Sequence, residues 1–316
     1  MPTVSINLCC YNSEKYLRET LESLIEQTYN DWELVIINDG SSDSTESIIF
    51  EYKSKGYPII YQYQENKGLG ASRNEALKLS RGEYIAFIDH DDTWLPVKLE
   101  KQVSILDLQP EIDFVYSNYY RFSMENSRTA KALTGKQPEG EVFRRFLYNY
   151  PVGILTVLLR RKSLVRQGLW FDESLEIAEE FDLFMRFLYK SKAAYLGEPL
   201  ARYRIHSGMS TFKYISGLYG ELEYMINRIK RLDESFENEY SDAIRFMEIK
   251  YLKYRSAKVK MQYGDTKGAR SIIAPYKWFD IKSFLLYIAS YLPPRAWFFM
   301  HRLRGKGSLL NIPIKK

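Results

Sequence analysis

Residues 84–92, Tyr84-Ile85-Ala86-Phe87-Ile88-Asp89-His90-Asp91-Asp92, end an apolar, strand-like run in a cluster of carboxylates with no Lys or Arg between them. Packing does not account for such an ending. Carboxylates at the end of a buried strand repel one another unless a cation or a donor-rich ligand lies between them, and hard oxygen ligands suit Mg²⁺ or Mn²⁺. A divalent ion in turn implies a phosphate nearby. Alone the Asp-x-Asp spacing is weak, because acidic pairs are common in surface turns, so its meaning depends on its surroundings.

Upstream, Val4 to Cys10 reads as a first strand that runs into Tyr11-Asn12-Ser13. A helix follows, with Leu17, Leu21, Leu24 and Ile25 at helical spacing and Asn12 or Ser13 as its expected N-cap. The next apolar run, Glu33 to Ile37, reaches a polar turn from Asn38 to Glu46, where Asp43 and Glu46 have the spacing of a capping box. Pro58 to Tyr63 and Tyr84 to Ile88 add strands, with a helix expected over Ala71 to Leu79 between them. This alternation predicts an α/β fold, a mostly parallel sheet flanked by helices, with its ligand beyond the carboxyl ends of the strands. Cys9 to Asn12, Asn38 to Asp43 and Asp89 to Asp92 all fall at that edge and are expected to converge.

The order of these segments resembles glycosyltransferase family 2. The carrying motifs are the opening strand with Tyr11-Asn12, the turn Asp39-Gly40-Ser41-Ser42-Asp43, Asn66-Lys67-Gly68-Leu69-Gly70-Ala71-Ser72-Arg73-Asn74, and Asp89-His90-Asp91-Asp92. They belong to a resembling region of about residues 3 to 210. The resemblance implies a Rossmann-like fold of the GT-A type and an inverting enzyme that takes a sugar from a nucleotide diphosphate sugar. Asp39 is suited to accept the imide N–H of uracil or thymine, Tyr11 offers an aromatic face and Cys9 a backbone edge, with Asn12 in the same motif. The competing reading of Asp39 is a turn residue bonded to its own backbone, and that of Tyr11 is simple packing. In the family the first acid of the Asp-x-Asp contacts ribose and the later one binds the metal, which assigns Asp89 and Asp91 to those roles and Mn²⁺ or Mg²⁺ as cofactor. Asp92 is expected to cap a helix beginning near Pro96. Arg73 either reaches phosphate or braces Asp89.

Gly68-Leu69-Gly70 partly imitates the glycine fingerprint of dinucleotide-binding folds, but Arg73 stands at the third glycine and the segment is not the first strand-to-helix turn. Nicotinamide chemistry is not expected.

Inverting transfer needs a carboxylate to deprotonate the acceptor hydroxyl. Ala178-Glu179-Glu180-Phe181-Asp182 resembles the family's acidic pair at a helix start and puts Glu180 at the base position, where the family usually has Asp. Asp182 is assigned to acceptor binding. Favourable charge in a first helical turn is the alternative reading of the whole run. Arg202 to Ser210 resembles the family's C-terminal lid, and its His206 is a candidate metal ligand beside Asp91. The Gln-x-x-Arg-Trp motif of processive members is absent, so single-sugar addition is expected.

At 316 residues and 45% hydrophobic content the chain suffices for one α/β domain plus an accessory unit. The expected division is 1–212 catalytic, with a nucleotide-sugar half to about 118 and an acceptor half from about 119, then 213–316 helical. Residues 119–150 are expected to shape the acceptor pocket, and Trp170 is read as core instead of a sugar platform. Cys9 and Cys10 are adjacent and expected to stay reduced. With the first strand beginning at Val4 and no signal-peptide pattern, a cytoplasmic location is expected. Beyond Thr211 the periodicity is helical, with a hairpin over Lys258 to Ala274 broken at Gly264-Asp265, for packing within the chain or in a homo-oligomer.

The formal net charge is +5, and beyond Asp280 no acidic residue accompanies Lys282, Arg295, Arg302, Arg304, Lys306, Lys315 and Lys316. Pro293-Pro294 interrupts the apolar runs there before they reach the roughly twenty residues of a membrane span. An interfacial helix on anionic lipid is one expectation for 281–316, near a glycan or lipid-linked glycan acceptor, and a helix docked on the core is the other. Nucleic-acid binding is not expected, since no reader motif accompanies the basic tail. A catalytically degenerate sugar-nucleotide-binding subunit of an assembly complex is the alternative function.

Overall fold

A computed structural model describes residues 1–124, 128–209 and 218–293. The chain divides into two compact units, 1–210 and 211–316.

The first unit is built on a nine-stranded mixed sheet in the order β3-β2-β1-β4-β8-β6-β9-β5, with β7 paired to β6. The strands are β1 Val4–Cys10, β2 Trp32–Asp39, β3 Ile59–Gln64, β4 Tyr84–Asp89, β5 Thr93–Trp94, β6 Ile112–Ser123, β7 Thr129–Lys131, β8 Leu158–Arg160 and β9 Lys192–Ile205. The first four are mutually parallel, β8 runs antiparallel between β4 and β6, and β6 and β9 are parallel again. Helices α1 Leu17–Ile25, α2 Thr45–Ser54, α3 Leu69–Leu79, α4 Lys98–Leu108, α5 Phe143–Tyr148, α6 Arg161–Arg166 and α7 Glu179–Leu188 connect them. The expected α/β architecture is therefore present.

The two-residue period of a strand decides which helix meets which residue. Val4, Ile6, Leu8 and Cys10 of β1, and Tyr84, Ala86 and Ile88 of β4, pack with Leu17, Leu21 and Leu24 of α1, Ile48 and Ile49 of α2 and Leu99 and Val103 of α4. Cys9, Val35 and Ile37 turn to the other face and meet Ala76 of α3. On that face Phe87 of β4 lies 5.8 Å, ring to ring, from Phe184 of α7, and Phe114 of β6 lies 5.3 Å from it. Phe184 and Phe187 are fully buried, and each contributes about 1.5–3 kcal/mol by leaving water. Asp89, two residues after Phe87, thus emerges on the face that carries α3 and α7.

Three capping expectations fail. Asn12 has φ of 49°, the left-handed region, and a turn accepting at Ser13 O from Tyr16 N–H and Leu17 N–H precedes α1, so neither Asn12 nor Ser13 caps it. Glu46 does not complete a capping box, because its Oε1 accepts from the Tyr61 hydroxyl at 2.7 Å. Asp92 is buried against β9, and α4 starts after Val97 without a side-chain cap.

The described part of the second unit is helical: Leu218–Ile229, Phe236–Glu239, Ser241–Met247 continuing through a π-helical stretch Glu248–Lys253 into Tyr254–Gln262, then Thr266–Ile273 and Ile281–Ala289. The hairpin turns at Asp265, whose carboxylate accepts from Gly268 N–H. Ala257, Met261, Ala269, Ile273, Leu286 and Ala289 form its core. Among the described residues no helix is long and apolar enough to cross a membrane. The basic tail beyond Pro293 lies outside the described residues.

Candidate active site

At the carboxyl ends of β1 and β2 two loops are stitched together through alternating backbone and side-chain bonds. Asn12 N–H donates to Ser41 Oγ at 2.9 Å while Ser42 N–H donates to Asn12 Oδ1 at 2.9 Å. Ser13 N–H donates to Thr45 Oγ1, Glu14 N–H to Asp43 Oδ2 and Ser44 N–H to Glu14 Oε2. Asn12 is therefore a stitch between loops. Tyr11, just beyond β1, leaves 50% of its surface exposed, while Cys9 is buried and in register with both Ile37 and Asp89. Burial pushes the Cys9 thiol up to about 12, so it stays protonated.

Asp39 ends β2. Its Oδ1 accepts from Gln64 Nε2 at 2.6 Å and Lys67 N–H at 2.9 Å, and its Oδ2 from Gly68 N–H at 3.0 Å. A carboxylate offers about four acceptor positions, so Asp39 braces the Lys67-Gly68 turn with little capacity to spare. The glycines of the fingerprint-like segment have mechanical reasons. Gly68 has φ of 88°, and a Cβ on Gly70 would lie 3.0 Å from Asp172 O and 3.1 Å from Glu173 Cα. Helix α3 thus lies hard against 172–173, and Asn74 fastens it there, donating to Phe171 O and Glu173 Oε1 and accepting from Phe171 N–H.

Arg73, 4% exposed, lies between two acids from different parts of the chain. Its Nη2 donates to Asp89 Oδ1 at 2.8 Å and its Nη1 to Glu179 Oε1. Bracing, one of its two expected roles, is realised, and Glu179 is a partner the sequence did not reveal.

Asp91 Oδ2 lies 2.9 Å from His206 Nε2. Gly208 N–H donates to His206 Nδ1 at 3.2 Å, so the Nε2 proton faces Asp91. Burial opposes ionisation of Asp91, but the His206 hydrogen bond and its other polar surroundings outweigh it and hold the carboxyl below its ordinary value. The imidazole is fixed by the Tyr16 ring, centroid to centroid 4.9 Å. It is also fixed through Arg204, which lies fully buried two residues earlier. Arg204 N–H donates to Asp92 Oδ1, its Nε to Asp91 O and its Nη2 to Glu19 Oε2, with the guanidinium over Tyr16 and Phe122. Asp92 is thereby a structural acid, pushed well up by burial and by the Asp91 and Asp89 charges.

The Asp91–His206 pair fits a divalent ion in part. Two cis ligands of an octahedral ion with bonds of about 2.1 Å sit about 3 Å apart, close to the observed 2.9 Å. Metal at Nε2 moves the ring proton to Nδ1, so the Gly208 bond must open on loading. Among the described residues no group of three or more His, Cys, Asp or Glu side chains could hold a metal by itself.

Glu180 heads α7 and is partly exposed. Burial in the cleft, partly offset by Arg73 and reinforced by Glu179 and Asp89, pushes its carboxyl up to about 8, and Ile154 N–H bonds to it. Ile154 belongs to the turn 154–156, which is held from behind by Trp94 Nε1 donating to Leu155 O and Gln102 Nε2 donating to Thr156 O. The buried Lys98 Nζ donates to Gln102 Oε1 and lies 3.9 Å from the Trp94 ring centre. Tyr150 carries a buried hydroxyl with no hydrogen-bond partner among the described residues, and its phenol is raised by burial and the Glu180 charge. Tyr150 ends the segment 119–150 expected to shape the acceptor pocket, whereas nothing in the sequence marked Gln102 or Lys98.

Asp182 requires a correction. It is fully buried, and its Oδ2 accepts from Arg186 Nε and Nη2 one turn on, so it does not face an acceptor. Arg186 also donates to Trp170 O, and Trp170 itself is 46% exposed, not core.

One residue reports on the convergence of the rest. The half-buried Tyr203 phenol is pushed up by burial and then by Asp92, Asp89, Asp91 and Glu180 together. The Arg73 guanidinium, bonded both to Asp89 and to Glu179, brings the end of β4 beside the head of α7, where Glu180 follows Glu179. A separate open hollow lined by Lys136, Gln137, Pro138, Glu139 and Arg145 contains none of them.

Residues 5–169 match the family described as glycosyl transferase family 2. The chain belongs to glycosyltransferase family 2. It is 33% identical over 214 residues to an uncharacterized glycosyltransferase of Rickettsia typhi, covering 66% of this chain and 66% of that protein. It is 36% identical over 161 residues, 51% of this chain and 61% of the relative, to the UDP-Glc:alpha-D-GlcNAc-diphosphoundecaprenol beta-1,3-glucosyltransferase WfgD of Escherichia coli. The matched segments thus span just under two-thirds of these relatives' lengths. Among solved structures, S. aureus TarS 1–349 in complex with UDP-GlcNAc superposes with a TM-score of 0.67 at 20% identity, covering 92% of this chain and 89% of that one. The mannosyltransferase PcManGT from Pyrobaculum calidifontis, in complex with GDP-Man and Mn²⁺, gives 0.60 at 16% identity, covering 95% and 84%. These superpositions establish the GT-A fold of the family 2 glycosyltransferase described here.

Proposed function

We propose that this family 2 glycosyltransferase moves a single sugar, with inversion, from a UDP-type nucleotide sugar to a hydroxyl of a glycan or lipid-linked glycan. The observation that carries the proposal is the Arg73 guanidinium joining Asp89 to Glu179, which brings the acidic strand end that includes Asp91 beside the helix head that includes Glu180; of these two carboxyls Asp91 is pushed down and Glu180 up to about 8. Paired acids with divergent pKa values mark division of labour in an active site.

Glu180 is the base. As the acceptor oxygen bonds to the anomeric carbon, the bond from that carbon to the diphosphate oxygen breaks, the acceptor proton passes to Glu180, and UDP leaves with the electron pair. Ile154 N–H and the turn behind it aim the carboxylate. Asp89, oriented by Arg73, faces the ribose, Tyr11 offers a stacking face to the base, and Asp39 lines the base pocket while holding the Lys67-Gly68 turn. Asp91 and His206 would hold Mn²⁺ or Mg²⁺, which when bound neutralises charge growing on the leaving diphosphate. The UDP-sugar assignment draws on the donor in WfgD's name and the ligand of TarS, and the metal on the Mn²⁺ of PcManGT. A lipid-linked acceptor likewise follows the acceptor in WfgD's name.

Incubation with a panel of nucleotide sugars and glycan primers, read by mass spectrometry and UDP release, tests this. Metal-dependent UDP release with a mass gain of one sugar is expected. Tight UDP binding with no turnover on any primer would favour the degenerate subunit instead.

A further inference from the structure

The exposed large apolar side chains of the first unit are scattered, as is ordinary for a protein surface. The helix Ile281–Ala289 is different. Its inner face, Ser283, Leu286 and Ala289, is buried in the core of the second unit, yet Ile281, Leu285 and Ile288 are 68%, 48% and 47% exposed on the opposite face. Leu292, 39% exposed, continues that face by one further turn, and Trp278, 77% exposed, extends it backwards by stacking on Phe284. A contiguous apolar stripe of this kind marks a surface that something covers.

The charge around the stripe says what covers it. From Thr266 to Lys316 the sequence has ten Lys and Arg and a single acid, Asp280. That acid is consumed, since Asp280 caps the helix through Ser283 N–H and pairs with Lys250. Lys282 is exposed beside the stripe, Lys277 lies over the Tyr287 ring, and Arg270 lies over Tyr291. A second copy of the same face would bring cation against cation. An apolar stripe with a Trp and a Tyr at its margins and a cationic border is the composition of a helix lying in a lipid interface.

We propose that the face Trp278, Ile281, Leu285, Ile288 and Leu292 docks on an anionic lipid surface, the helix lying in the plane of the headgroups with Lys277 and Lys282 against them. This extends the function proposed above without depending on it, because it concerns attachment and not transfer.

The test is sedimentation of the full chain with phosphatidylcholine vesicles and with equimolar phosphatidylcholine and phosphatidylglycerol vesicles. Recovery with the anionic vesicles alone is expected. Leu285→Glu with Ile288→Glu should lower partitioning about tenfold or more, and Lys277→Glu with Lys282→Glu should erase the preference for the anionic vesicles. A Leu285→Cys protein carrying a polarity-sensitive dye supplies a reading that survives poor folding of the double acid variant, with a blue shift expected on anionic vesicles. Equal recovery of wild type and both variants, no sedimentation of wild type, or an unshifted dye would overturn the proposal. So would a change in lipid-free sedimentation coefficient on substituting Leu285 and Ile288 without any loss of vesicle binding, which would give the face to a protein partner. Undiminished UDP binding by the variants keeps this outcome separate from that of the transferase reading.

Discussion

Two acidic triplets are joined through Arg73, and they are built alike. At the end of β4 stand Asp89, Asp91 and Asp92, and at the head of α7 stand Glu179, Glu180 and Asp182. In each, one acid is clamped by Arg73: Asp89 on one side and Glu179 on the other. In each, one acid is buried for structure: Asp92 accepts from Arg204 N–H, and Asp182 pairs with Arg186. The remaining members differ. Asp91 is held ionised by His206, whereas Glu180 is pushed up to about 8 by burial and neighbouring acids. Surroundings, more than residue type, set the proposed cation holder apart from the proposed proton acceptor.

Glu180→Gln should give the largest effect, a loss of about 10²–10⁴-fold in kcat with UDP affinity retained. Steady-state assay and calorimetry check it, and retained turnover would erase the distinction between the triplets. In the wild type, activity should rise as pH rises toward about 8, because the base acts deprotonated. Stability moves oppositely. A carboxyl whose folded pKa is raised contributes stability that is present below its unfolded value of about 4.3 and lost as pH rises through the folded one. The melting temperature of Glu180→Gln relative to wild type should therefore climb between about pH 4 and 8 and level off above.

Arg73→Met removes the clamp common to both triplets and leaves Glu179 and Asp89 without their shared cation. A loss of about 3–5 kcal/mol in urea unfolding is expected, as for one partner of a buried ion pair. A change within about 0.5 kcal/mol would mean that the clamp does not hold the triplets together.

His206→Ala should weaken Mn²⁺ activation by about 10–100-fold without altering the pH limb set by Glu180. Titration of activity with Mn²⁺ at several pH values separates the two, and a moved limb would show the triplets to be less independent than their geometry indicates. The smallest effect belongs to Gln102→Leu. With Thr156 O deprived of its donor, the Ile154 turn loosens, and kcat should fall about fivefold at unchanged KM, the equivalent of one hydrogen bond. The pH limb should also move upward as Glu180 loses the Ile154 donor. A fall in stability with an unmoved limb would reduce Gln102 to a packing residue.

Much of this was legible in the chain because it is local. The strand ends carrying Asp39 and Asp89, the alternation behind the parallel sheet and the hairpin at Gly264-Asp265 all follow from period and turn chemistry. What failed to show is the sorting within each triplet, since that depends on partners far away in sequence. Arg73 and Glu179 are 106 residues apart, and Arg204 meets Asp92 across 112. One misreading had a local signal: Asp182 and Arg186 stand at the helical i,i+4 spacing of an ion pair. Trp170, expected in the core, is instead 46% exposed, and its backbone oxygen, not its ring, is what the interior uses.

Asp91 and His206 are proposed to hold a cation against a diphosphate near Glu180. Phosphorus NMR of UDP bound to the full chain, titrated with Mn²⁺, addresses it directly. Strong broadening of both phosphorus signals in the wild type, lost in Asp91→Asn while UDP remains bound, is predicted. Signals that Mn²⁺ leaves sharp in the wild type, or broadens equally in Asp91→Asn, would contradict it.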